Sequence, residues 1–76
     1  MMIIHMDFMI FKTNINPTEV DVVRTSLDRI PFIREWTIDV NDVDRVLRVK
    51  TSGNFDEEDV MKLLNTCGFH CEELPD

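Results

Sequence analysis

This sequence predicts an α+β sandwich with the element order βαββαβ. Three observations carry that expectation. Two apolar stripes at helical spacing, Val20 to Ile30 and Val60 to Cys67, each follow a polar cap and end at Pro31 and Gly68. Between them lie two stretches, Arg34 to Val40 and Arg45 to Thr51, in which apolar and polar residues alternate. An apolar segment precedes the first helix, and a shorter one follows the second.

The first segment, Met6 to Thr13, reads as a strand with Phe8 and Ile10 on one face and Met9 and Phe11 on the other. Apolar side chains on both faces predict a central strand, paired on both sides and at least partly covered. Asn16-Pro17-Thr18-Glu19 reads as a helix start. Asn16 suits the N-cap because its side-chain oxygen can accept from a free backbone N–H, and Pro17 suits the first helical position because no N–H is needed there. Glu19 sits where its carboxylate can bond back to the cap, and Ile15 and Val20 are placed as a hydrophobic staple. Val20, Val23, Leu27 and Ile30 then share one helical face. Pro31 ends this helix, since it disfavours helical geometry at Ile30.

Trp36, Ile38 and Val40 point to one side of the second strand, with Glu35, Thr37 and Asp39 on the other. Asn41-Asp42-Val43-Asp44 is a turn cluster. In the third strand Leu47 and Val49 face inward, Arg48 and Lys50 outward, so the pair reads as a hairpin. Asp56 and Asp59 cap the second helix, Phe55 and Val60 repeat the staple, and Val60, Leu63, Leu64 and Cys67 form its stripe. Gly68 fits a left-handed C-terminal cap. Phe69 to Leu74 is the last strand, stopped by Pro75. The compact solution for this order is the ferredoxin-like fold, a four-stranded antiparallel sheet with two helices on one face. Right-handed crossovers put the third strand between the first and second, and the fourth beside the first. Asn14 to Glu19 are therefore expected beside Cys67 to Cys71.

With 76 residues the chain makes a single domain, 1–76, in which residues 1–5 read as an extension ahead of the first strand. Fifteen acidic against eight basic side chains, a net charge of −7, argue against a nucleic-acid footprint and against an anionic membrane surface. The acidity suits a basic protein partner; plain solvation is the simpler account. Met1 to Phe11 is too short and too interrupted for a membrane helix and lacks a signal-peptide layout, so a cytoplasmic location is expected. Two cysteines so close together are not a disulfide framework. There is no phosphate loop and no nucleophile–base signature, so an enzyme is not expected.

The runs Lys12-Thr13-Asn14-Ile15-Asn16, Val20/Val23/Leu27/Ile30-Pro31, Trp36-Thr37-Ile38-Asp39, Val46-Leu47-Arg48-Val49 and Cys67-Gly68-Phe69 occur in an order and spacing that resemble the heavy-metal-associated (HMA) domain family. That family includes copper chaperones and the N-terminal modules of copper-transporting ATPases, and the resemblance covers roughly Phe11 to Leu74. It implies a Cys-x-x-Cys pair between the first strand and first helix, binding a soft cation such as Cu(I) through thiolates. Counted back from the helix stripe, those two positions fall at Asn16 and Glu19, or at Pro17 and Val20 if the count moves by one. Either way both thiols are absent. Asn and Glu offer hard oxygen ligands, and at these positions they make a capped helix start. No cofactor is expected.

Cys67, His70 and Cys71 form the other candidate metal set, for copper or zinc. Packing outweighs ligation: Cys67 continues the helix stripe, and strand alternation turns His70 away from Cys71. Met1, Met2, His5, Met6 and Met9 read as a chain start followed by core residues rather than a thioether site. Asp39 to Lys50 fails as a calcium loop, with Asp44 where Gly is needed and Lys50 where a bidentate Glu is needed. The expectation is a non-enzymatic HMA-like binding or protein-interaction module, monomeric or weakly homodimeric, that has lost the usual soft-metal site. One alternative is a copper- or zinc-binding transport protein using Cys67, His70 and Cys71. A second, on fold analogy, is a small-molecule sensor domain.

Overall fold

A computed structural model describes residues 6–75. The readings of Met1, Met2 and His5 lie outside the described residues. The order is β1 (Met6–Thr13), a 3-10 turn (Pro17–Glu19), α1 (Val20–Leu27), β2 (Ile33–Asp39), β3 (Val46–Ser52), α2 (Glu57–Thr66) and β4 (Cys71–Glu73). The sheet runs β2-β3-β1-β4 with every neighbouring pair antiparallel, as the right-handed crossovers require. β1 is central, paired to β3 and β4.

The pleat sorts the side chains. Met9 lies opposite Val49 and Phe11 opposite Leu47; all four are buried against Val23 and Leu27 of α1 and Val60 and Leu64 of α2. These ridges form one core between the sheet and the two helices. Phe8, paired with Lys50, and Ile10, paired with Arg48, project from the other face. That face carries no helix, and the partial cover expected for it is not supplied within the described chain: Phe8 is 73% exposed.

Several boundaries differ from expectation. The first helix opens as a 3-10 turn and ends at Leu27, not Ile30. The backbone tightens there: Ile30 N–H bonds to Leu27 O at 3.1 Å, and Ile33 N–H to Ile30 O at 3.0 Å, a turn that leads straight into β2. β2 and β3 are each offset by one residue from the expected spans. A bulge between Ile33 and Glu35 leaves Arg34 and Glu35 both exposed, which interrupts the expected alternation. β4 keeps only Cys71–Glu73 of the expected Phe69 to Leu74, because Phe69 turns into the core and bonds through its N–H to Leu64 O at 2.9 Å. No helix among the described residues is long and apolar enough to cross a membrane.

Candidate functional site

Three connections meet at the end of the sheet where β1 finishes: the loop 14–19, the hairpin turn 40–45 and the passage 67–70 from α2 to β4. Antiparallel pairing brings them together, since Phe11 lies opposite Leu47 and Thr13 opposite Cys71. The expected approach of Asn14 to the last connection is present as a reciprocal pair. Asn14 N–H bonds to His70 O at 3.2 Å, and His70 N–H to Asn14 Oδ1 at 2.8 Å.

Asn16 and Glu19 stand in the first helical turn in a capping-box arrangement. Glu19 Oε1 accepts from Asn16 N–H at 3.1 Å, and Glu19 N–H bonds to Asn16 O at 2.8 Å. The short bond of the Asn16 side-chain oxygen goes elsewhere: it accepts from Arg45 Nη1 at 2.7 Å, while the same nitrogen donates to Ile15 O at 2.8 Å. Of the positions of the alternative count, Pro17 opens the 3-10 turn and is exposed, and Val20 is half-buried at the start of α1.

Arg45 organises the whole cluster. Its backbone has φ +46°, the one positive value outside glycine among the described residues. Its carbonyl accepts from the buried Thr13 Oγ1 at 2.7 Å, and Thr13 Oγ1 in turn accepts from Ile15 N–H at 3.3 Å. Asp44 completes the join, with its carbonyl taking Thr13 N–H at 3.0 Å and its carboxylate 3.6 Å from Lys12 Nζ. A cation thus lies bonded to loop oxygens at the base of the first helix. In the sequence pattern Arg45 marks only the start of an alternating strand. A signal was available: a basic residue leaves a turn that the crossover rules place beside the loop.

The Cys67, His70 and Cys71 side chains are placed separately. Cys67 Sγ lies 3.0 Å from Ser26 Oγ on α1. The Ser26 hydroxyl already donates to Val22 O at 3.0 Å, which leaves the Cys67 thiol as the donor between them. Cys71 is half-buried beneath α2, its sulfur 4.0 Å from Met61 O, and burial pushes its thiol pKa up. His70 is exposed. Both cysteines are free thiols. Among the described residues, no three His, Cys, Asp or Glu side chains are grouped to hold one metal ion.

Sheet order and helix placement define a two-layer α+β domain of ferredoxin-like fold. Among solved structures the chain is similar to the apo form of the HMA domain of the copper chaperone for superoxide dismutase, with a TM-score of 0.77 and 19% sequence identity, covering 95% of this chain and 70% of that one. At that identity the likeness establishes the fold. No protein-family model matches the sequence, and no curated protein matches it.

Proposed function

We propose that this chain is a non-enzymatic HMA-like protein-interaction module whose loop after β1 is a fixed structural joint and not a soft-metal site. The observation that carries the proposal is the Arg45 guanidinium, bonded to Ile15 O and Asn16 Oδ1 in that loop. Asn16 Oδ1 and Glu19 Oε1 are already engaged by protein donors. A second cation brought to about 4 Å from the guanidinium would meet roughly 4 kcal/mol of repulsion per unit charge at an effective dielectric of about 20. Thiols that would favour Cu(I) are not at these positions, and hard oxygens hold it poorly. The raised pKa of Cys71 acts in the same direction, because a thiol must lose its proton to ligate. The similar solved domain belongs to a chaperone that serves another protein, which supports a docking role for this scaffold.

Anaerobic titration of the reduced chain with Cu(I) and with Zn(II), followed by competition with a chromophoric chelator, tests this reading. The expected result is no one-to-one complex tighter than about micromolar, a value set well below the affinities of dedicated zinc sites. Tight one-to-one binding that disappears in Cys67→Ser or Cys71→Ser would overturn the proposal in favour of a metal-binding protein.

A further inference from the structure

The sheet face that bears no helix has a definite chemical pattern. On its two central strands it presents Phe8 and Ile10 from β1 and Arg48 and Lys50 from β3, opposite one another in register. Together with Lys12, these strands place three of the chain's eight basic residues on this face, and neither strand contributes a carboxylate to it; the Asp44 carboxylate of the adjoining turn lies 3.6 Å from Lys12. The outer strands reverse the sign: Glu35 on β2 lies opposite Lys50, and Glu72 on β4 lies opposite Lys12. Phe8, Ile10, Thr37 and Arg48 line a shallow groove of about 290 Å³. The Lys50 ammonium lies 5.5 Å from the centre of the Phe8 ring and 4.0 Å from Glu35. Arg48 is exposed and makes no ion pair among the described residues, although the chain has nearly two carboxylates for every base.

We infer that this face is the docking surface of the module, and that it takes a segment of another protein with a carboxylate beside an apolar side chain and Lys or Arg on both flanks. The inference rests on the interaction-module reading and specifies its surface. The apolar side chain covers Phe8 and Ile10, both of which line the groove. The carboxylate meets the Arg48 guanidinium, whose planar fork suits two parallel hydrogen bonds. The basic flanks meet Glu35 and Glu72, each about one and a half strand spacings, roughly 7 Å, to either side of the sheet's midline. A uniformly acidic segment is repelled by those edges, and a uniformly basic one by Lys12, Arg48 and Lys50. The sign pattern, more than the groove itself, selects the partner.

The test uses the whole chain, ¹⁵N-labelled, and a nine-residue peptide in which Lys, Phe, Asp, Leu and Lys alternate with Ser. Its control exchanges every Lys for Asp and the Asp for Lys. The expected result is saturable shifts at the amides of Phe8, Ile10, Arg48 and Lys50 below millimolar peptide, with the control at least tenfold weaker. R48E and F8S should each weaken binding at least tenfold. Both side chains are exposed, so both variants should keep the wild-type spectrum elsewhere. The inference is overturned by no saturable shift at 2 mM, by equal binding of the control, or by shifts confined to α1 and α2. It is also overturned if sedimentation shows a dimer that F8S dissociates, since the face then closes on a second copy. None of these outcomes bears on the metal titration, so the two readings fail separately.

Discussion

Arg45 illustrates how one residue can carry two opposed terms. Its left-handed backbone costs an L-residue about 1–2 kcal/mol, while its guanidinium supplies two short bonds to Ile15 O and Asn16 Oδ1. Arg45→Ala removes the bonds and keeps the strain, and should lower stability by about 1.5–3 kcal/mol, the range for a hydrogen bond to a charged group. Arg45→Gly removes the bonds and relieves the strain. The extra freedom of glycine in the unfolded chain costs only about 0.4–1 kcal/mol. Urea unfolding should therefore find the Gly variant at least as stable as the Ala variant, although both fall below wild type. Cys71 gives a second residue-scale prediction. Burial raises its folded pKa, so its contribution is fully present below the unfolded thiol value of about 8.5 and is lost as pH rises through the higher folded value. Between pH 8 and pH 10 wild type should lose more stability than Cys71→Ser, read as the difference between their urea midpoints.

The ends of the elements show how well local chemistry predicts local structure. Asp56 and Asp59 form the expected capping box on α2, at 3.1 Å and 3.0 Å, because both partners are three residues apart and need nothing from the rest of the fold. Gly68 takes the expected left-handed cap, with φ +92°. Gly53 has φ +79°, and a methyl group there would meet the Phe32 ring at 3.0 and 3.1 Å, whereas nothing lies within 4 Å of one at Gly68. Gly68→Ala should cost about 1–2 kcal/mol from backbone strain alone. Gly53→Ala should cost more, since it must also displace Phe32 from its stacking on Phe55, 5.8 Å between centroids. Thermal melts of the two variants compare them directly. The early end of α1 was not legible in the same way. Pro31 marks only the last residue that could be helical. The exit at Leu27 is instead accompanied by the Trp36 indole bonding to Asp28 Oδ1 at 2.9 Å, a contact between a helix end and a strand.

Across the whole molecule, charge and burial separate cleanly. The core between sheet and helices is apolar, and its polar members are small hydroxyl residues such as Thr13 and Thr51, each hydrogen-bonded. The net charge of −7 is therefore a surface property that repels itself. Raising NaCl from 0.05 to 0.5 M shortens the screening length from about 14 Å to about 4 Å. The melting temperature should rise by a few degrees over that range at pH 7, as the repulsion of an acidic surface is screened. A fall in melting temperature would show that the ion pairs Lys12–Asp44, Arg24–Asp21 and Lys50–Glu35 outweigh the net repulsion.

Local pattern is enough to read the element order, the sheet topology, the two-layer packing and the place of Asn16 and Glu19 at the first turn. These follow from periodicity, caps and the handedness of crossovers, all of which are local or nearly universal. Glu19 bonds back to the Asn16 N–H as its spacing implies, but the partner of the Asn16 side chain depends on the assembled fold. The Asn16 side chain is claimed by Arg45, 29 residues away, and Asn14 by His70, 56 residues away. Tertiary structure likewise separated Cys67, drawn to Ser26 on α1, from Cys71 beneath α2, and left Phe8 and Arg48 together on an uncovered face. Short-range pattern encodes where the backbone goes. The partner of a side chain at a loop or on an open face depends on residues distant in the chain, which pattern does not report.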